Sequence, residues 1–168
     1  MTPRAASLIA ALVAGAVILQ TALLAPLGPY VPHLVMVAVV AVALAVGPQA
    51  GVIAGLMGGL LIDLAPPGDH LVGRWAVALI VVGYLCARVR YKPGRRVGTA
   101  ALVAAASFVG YSVFALTGLV GGERSAPLSA MVAAIAISVV LNAVIGGVFV
   151  PSLTRLIGRW HPAEALVR

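Results

Sequence analysis

Few side chains in this sequence could do chemistry, and several of them lie in one short stretch. Asp63, Asp69 and His70 fall between two apolar runs, and His33 stands just before another. Carboxylates and imidazoles are ordinary metal ligands. Their spacing matches no metal-binding pattern, such as two histidines one helical turn apart, so we expect no metal and no other cofactor.

A serine nucleophile is the second chemical candidate, at Ser112 in the tripeptide that begins with Gly110. A serine hydroxyl needs a neighbouring base before it can attack a substrate. The apolar runs at residues 97–120 and 127–157 contain no histidine to serve as that base. We therefore expect a protein that is not an enzyme.

Asp63 and Arg74 are the charged residues that stand closest to apolar runs in this region. A carboxylate at a membrane edge still requires a partner, and Arg74 is the nearest candidate across the turn. Two interpretations are open for this segment. It forms an ion pair that fixes the turn, or it docks a partner protein.

The composition indicates what surrounds these residues. Of 168 residues, 62% are hydrophobic and 9% are charged, and the mean hydropathy is +1.15, which is too apolar for a soluble domain. The net charge of +7 could suggest nucleic acid. However, the basic residues flank the apolar runs, as they do in membrane proteins, so we predict a lipid environment and no nucleic-acid binding. The single cysteine, Cys86, allows no disulfide framework.

Six apolar runs predict an all-α integral membrane protein with one domain over residues 1–168, a bundle of six transmembrane helices. Backbone groups in hydrocarbon must be hydrogen bonded within their own segment, which favours helices. The second, third and fourth runs are short, so re-entrant or interfacial segments are the alternative for them. The sequence Gly47, Pro48, Gln49 predicts a tight turn between the second and third helices. The predicted helices cover residues 5–25, 31–47, 49–65, 72–89, 97–120 and 127–157.

The distribution of Lys and Arg predicts the orientation. Only Arg74 and Arg124 lie in the segments on one side, and the other nine lie on the opposite side. The positive-inside rule therefore puts both termini in the cytoplasm. The first run is longer than the hydrophobic core of a typical cleaved signal peptide, so we expect it to stay in the protein as the first transmembrane helix. The loop between the fourth and fifth helices is interpreted as a topology anchor, or as a contact for anionic lipid or an acidic partner; its basic residues are Arg88, Arg90, Lys92, Arg95 and Arg96.

Small residues recur at every fourth position in three predicted helices, which lets another helix approach closely. That helix belongs either to the same bundle or to a partner protein. Asn142 lies near the middle of its helix, so we expect its amide to hydrogen bond across helices. The stripes are Ala6, Ala10 and Ala14; Gly51, Gly55 and Gly59; and Ala130, Ala134, Ser138, Asn142 and Gly146.

Several of these motifs, taken in order, resemble the rod shape-determining protein MreD family. They are the Pro-x-Leu that begins at Pro32, the turn GPQAG, the run GLMGGLLIDLAPPG at residues 55–68, the run GYLCARVR at residues 83–90, and Leu141 with Asn142 and Ala143 in the last helix. Many relatives carry an acidic residue where this chain has His33. The role of that position is therefore open.

The resemblance implies a non-enzymatic scaffold of the bacterial elongation machinery in the cytoplasmic (inner) membrane. Its implied partners are the bitopic protein MreC and, beyond it, MreB, RodA and a class B penicillin-binding protein, in support of lateral peptidoglycan synthesis and rod shape. The family is also similar in fold to the six-helix substrate-binding subunits of energy-coupling-factor vitamin transporters. The alternative function is accordingly a small-molecule binding subunit of a transporter.

Overall fold

The computed structural model describes residues 3–24, 26, 31–66, 71–89, 96–122 and 127–160, and the described chain is all-helical. A short π-helical segment, Gln20–Leu24, continues the first helix. These described ranges contain six α-helices: α1 Pro3–Leu19, α2 Leu34–Val46, α3 Pro48–Asp63, α4 Arg74–Ala87, α5 Arg96–Val120 and α6 Leu128–Trp160.

The predicted helix ends agree with these bounds to within three residues when the π-helical segment is counted with α1. Among the described residues, three helical stretches are long and apolar enough to cross a membrane: Ala6–Leu24, Arg96–Val120 and Ser129–Arg159. Helices α2, α3 and α4 are apolar but shorter, with 13, 16 and 14 residues. The all-α fold is therefore confirmed, and six full membrane spans stay a prediction.

Helix α2 is the centre of the bundle. It packs against each of the other five helices, and every side chain from Val35 to Ala43 is buried. Its sequence alternates valine and alanine on all sides without a polar face. A helix that is apolar all round is buried all round, which explains its central place.

Helices α3 and α4 pack most closely of all neighbours in the bundle. A Cβ atom added at Gly51 would lie 2.7 Å from the Gly83 carbonyl oxygen. One added at Gly55 would lie 2.6 Å from the carbonyl carbon of Leu79. Gly59 lies in the same way against the backbone of Ala76. The glycine face of α3 is thus occupied by α4 within the chain.

Helices α5 and α6 form the second close pair. A Cβ atom at Gly146 would lie 2.6 Å from Val103, and one at Gly147 would lie 3.1 Å from the Ala100 side chain and 3.5 Å from the Arg96 carbonyl oxygen. The start of α5 therefore lies beside the carboxyl-terminal half of α6. The two helices are antiparallel.

Gly47 is the single residue between α2 and α3. Its φ is 116°, a value that side chains with a Cβ atom rarely adopt. Its amide donates to the Ala43 carbonyl and ends α2, while Pro48 begins α3. The tight turn expected from the sequence is present.

We predict that Gly55→Ala destabilises the protein and that Gly15→Ala does not. The added methyl group at Gly55 would collide with the α4 backbone, at a cost of about 1–3 kcal/mol. Gly15 is also helical, but nothing lies within 4 Å of its added Cβ, so alanine there should be neutral or stabilising by up to about 1 kcal/mol. Thermal unfolding in one detergent, followed by circular dichroism, measures both. Equal melting temperatures for the two variants would contradict the packing described.

Candidate functional site

The amino terminus of α2 is held by side chains from two other helices. The backbone N–H of His33 donates to Asn142 Oδ1 at 2.6 Å, and that of Leu34 donates to Gln20 Oε1 at 2.7 Å. The N–H of Met36 donates to His33 Nδ1 at 3.2 Å, so the histidine caps its own helix. Because this helix end lies inside the bundle, these contacts replace the water that would otherwise satisfy its first N–H groups.

Asn142 joins α2, α5 and α6. Its side chain is fully buried, its Nδ2 donates to Ser107 Oγ at 3.0 Å, and its Oδ1 accepts from His33. Ser138, one turn earlier on α6, is also buried, and the Tyr111 hydroxyl is hydrogen bonded to Ser138 and Asn142. The amide thus bonds across helices, as its sequence position suggests.

Gln20, whose side chain contacts the start of α2, is the first residue of the π-helical segment. A π turn holds one more residue than an α turn and shifts the side chains that follow it. The Thr21 hydroxyl donates to the Val17 carbonyl at 2.9 Å within this region. The sequence contains no pattern that predicts the segment.

Asp63 caps the amino terminus of α4. Its Oδ2 accepts from the backbone N–H groups of Gly73 at 2.9 Å and Ala76 at 3.2 Å, and its Oδ1 accepts from Trp75 at 3.1 Å. The carboxylate is only 2% exposed. A negative charge at a helix amino terminus also interacts favourably with the helix dipole. Asp63, which is the last residue of α3, therefore caps the first turn of α4.

Arg74 lies on the end of α5. Its Nε and Nη2 donate to the Phe114 carbonyl at 3.2 and 2.7 Å, and its guanidinium carbon lies 3.8 Å from the centre of the Phe114 ring. Gly118 leaves the space that the guanidinium occupies. These contacts were not expected from the sequence. The ion pair between Asp63 and Arg74 stays a prediction.

Aromatic rings fill the region between the two capped helix ends. The Trp75 ring is stacked on Phe114 with centroids 4.3 Å apart, and it contacts His33 at 4.2 Å and Tyr111 at 5.4 Å. Such ring pairs add about 0.5–1.5 kcal/mol each to the area that they bury. The two capped ends and these rings form one continuous cluster at one end of the bundle.

The other predicted residues lie apart from this cluster. On α6, Ala130 is exposed and Ala134 half-buried, whereas Gly146 is buried against α5. At the opposite end of the bundle, Arg96 is exposed, and Arg88 is exposed with its guanidinium donating to the Tyr84 hydroxyl at 2.8 Å. Arg90, Lys92 and Arg95 lie outside the described residues, as do Asp69 and His70.

The polar side chains of the cluster are engaged in hydrogen bonds within the protein. Over the described ranges, every buried side-chain nitrogen and oxygen has a hydrogen-bond partner. The same part of the chain contains no group of three or more His, Cys, Asp and Glu residues that could hold a metal ion. The arrangement satisfies helix ends and fixes helix positions.

Comparison with known families decides the identity of this fold. The family model described as rod shape-determining protein MreD matches residues 3–159. This chain belongs to the MreD family. The resemblance seen in the sequence motifs is confirmed, and with it a membrane protein that acts in the determination of rod shape. Comparison with curated proteins and with solved structures finds no match, so the expected likeness to energy-coupling-factor subunits has no support.

Several residues of the cluster in this MreD family member were not predicted from the sequence. Ser107, Tyr111 and Phe114 follow one another at helical spacing, so they share one face of α5. That spacing was the available signal. The contacts of His33 with Trp75 and Tyr111, in contrast, join residues far apart in the sequence and follow only from the tertiary fold. Ser112, the residue considered as a nucleophile, is half-buried on the same helix.

We predict that Asp63→Ala destabilises this MreD family member by about 1–3 kcal/mol, because it leaves the first N–H groups of α4 without their acceptor. Asp63→Asn keeps an acceptor oxygen and should lose about half as much or less. Thermal unfolding in a fixed detergent ranks the two variants. If Asp63→Asn costs as much as Asp63→Ala, the negative charge rather than the acceptor oxygen is the main contribution of the carboxylate.

We also predict that Asn142→Leu costs more than Ser107→Ala. The first change removes the acceptor of the His33 N–H and the donor to Ser107, with an expected loss of about 1–3 kcal/mol. The second removes one hydroxyl, at about 0.6 kcal/mol for a hydrogen bond inside a membrane protein. A double-mutant cycle on unfolding free energies measures the coupling. Fully additive losses would mean that the two side chains do not interact.

Proposed function

We propose that this protein is a non-enzymatic scaffold of the bacterial elongation machinery, which crosses the inner membrane six times and binds an MreC-like bitopic protein. The observation that carries the proposal is the family match over residues 3–159, in a chain whose described part is built of apolar helices. Through that partner the scaffold supports lateral peptidoglycan synthesis by RodA and a class B penicillin-binding protein, and MreB is its cytoplasmic counterpart.

The positions of the arginines support cytoplasmic termini. The Arg96 backbone lies beside Gly147 on α6, so the start of α5 and the exposed residues Arg155 and Arg159 share one end of the bundle. Arg74 lies beside Gly118 near the other end of α5. Basic residues collect on the cytoplasmic side of membrane proteins. Both chain ends then belong to the cytoplasmic side, together with the basic loop that Arg88 and Arg96 flank.

The partner surface must be one that the bundle leaves open. Gly51, Gly55 and Gly59 are occupied by α4, so they position the scaffold itself. The small-residue stripe on α6 begins at Ala130, which is exposed. Ala133, three residues later on the same helix, is exposed as well. Small residues let a second helix approach closely in lipid, where close packing drives association. The partner helix is therefore assigned to the amino-terminal half of α6.

A scaffold needs no reactive group, and the polar cluster fits that role. Its side chains are engaged with helix ends and with one another. They stabilise the relative positions of α2, α4, α5 and α6. A rigid bundle presents its outer faces in fixed positions, which is what the binding of partner helices requires.

The expected result of co-purification is that the full chain retains the MreC-like protein encoded by the same bacterium. The double variant Ala130→Leu, Ala133→Leu should lower retention about tenfold, which corresponds to roughly 1.4 kcal/mol. Ala105→Leu is the matched control, because Ala105 is an exposed alanine on α5. Retained partner is measured relative to bait by quantitative mass spectrometry.

Two results would count against the proposal. If the wild-type chain retains no bitopic partner but gains thermal stability from a vitamin-like compound, the protein is a substrate-binding subunit instead. If the double variant and the Ala105→Leu control retain equal amounts of partner, the contact lies on another face of the bundle.

A further inference from the structure

A narrow apolar groove runs along the bundle between α1 and α6, with the first turns of α2 as its floor. Its volume is about 350 Å³. The walls are Ala11, Gly15 and Leu19 on α1, and Ile145, Phe149 and Leu153 on α6. The groove exists because α1 packs mainly on α2 and α3 and meets α6 only slightly. It plays no part in the polar cluster.

The size and shape of the groove limit what can fill it. At roughly 30 Å³ for a group the size of a water molecule or a methylene, 350 Å³ holds about a dozen methylene groups. Residues 11–19 of α1 extend along roughly 12 Å at 1.5 Å per residue. A helix about 10 Å across is too wide to enter. A single inserted side chain is too short for the length of the groove, so a linear hydrocarbon chain fits best.

Positive charge marks one end of the groove. Arg155 and Arg159 are exposed and follow Leu153 on α6. Arg159 comes 14 residues after Ile145 and lies about 40° from it around the helix, and Arg155, one turn before Arg159, lies about 80° from Ile145. From Ile145 to Arg155 the helix rises roughly 15 Å, which is the hydrocarbon depth of one leaflet. At this depth the two arginines are level with the headgroup of a lipid whose acyl chain lies in the groove.

We infer that the groove binds one acyl chain of an anionic phospholipid from the leaflet that holds the carboxyl end of α6, with Arg155 and Arg159 on its phosphate. The aliphatic walls exclude water from the chain, and the arginines select negative headgroups over zwitterionic ones. The inference rests on the proposed insertion of these helices in a bilayer. It does not depend on the partner surface, which lies in the other half of α6.

Native mass spectrometry of the full chain in dodecyl maltoside tests the site. The probes are palmitoyl-oleoyl phosphatidylglycerol and the phosphatidylcholine with the same chains. The expected result is one retained phosphatidylglycerol per protein, at roughly tenfold preference over phosphatidylcholine. The double variant Arg155→Gln, Arg159→Gln should bind both lipids equally.

Variants that fill the groove separate chain binding from headgroup binding. Gly15→Leu adds a side chain to the groove wall at a position where nothing lies within 4 Å of the added Cβ. Ala11→Phe adds a ring to the same wall one turn earlier, at an exposed position. Both should lose the retained lipid, while Val140→Leu, an exposed site on α6 away from the groove, should keep it. Melting temperatures confirm that each variant is folded.

Three outcomes would overturn the inference. In the first, the wild-type chain retains both lipids equally. In the second, folded Gly15→Leu and Ala11→Phe keep the phosphatidylglycerol, which would mean that the arginines bind headgroups at the surface without the groove. In the third, the groove variants lose the bitopic partner but not the lipid, which would assign the groove to protein.

Discussion

The structure depends on one constraint, which is that a helix beginning inside an apolar bundle must find hydrogen-bond acceptors for its first N–H groups. In the part of the chain that the structure describes, α2 and α4 begin in that way, and neighbouring helices supply the acceptors. Gln20 and Asn142 serve α2, and Asp63 serves α4. The contacts of Gln20, Asn142 and Asp63 with backbone N–H groups follow from this requirement. Two of the residues considered as metal ligands, His33 and Asp63, accept hydrogen bonds from the N–H groups at these helix starts.

Steric fit and hydrogen bonding set the same register between α3 and α4. Gly59 lies against the backbone of Ala76, and one turn later Asp63 accepts from the N–H of the same residue. A slide of one helix along the other would bring a side chain into the glycine face and remove the cap together. Two weak preferences thereby become one specific arrangement, because neither can be satisfied without the other.

Much of the fold could be read from the sequence, because apolar runs, glycine and proline act locally. The helices, the turn at Gly47 and the cross-helix role of Asn142 are of this kind. The central place of α2 was not read, although its lack of a polar face was a usable signal. The contacts of Arg74 with Phe114 join residues 40 positions apart, so local patterns hold no trace of them. The choice between α4 and a partner for the glycine face likewise depends on tertiary packing.

The unequal lengths of the helices have a consequence for the surrounding lipid. Helices α3 and α4, with 16 and 14 residues, are roughly 24 and 21 Å long, whereas α5, with 25 residues, is roughly 38 Å long. If all six helices cross the membrane, as proposed, a hydrocarbon layer of about 30 Å is thicker than α3 and α4 are long and thinner than α5 is long. The bilayer would then be compressed beside the short helices, and α5 would tilt, at fractions of a kcal/mol per Å. The lipid thickness that a neighbouring protein meets would then depend on which helix it approaches.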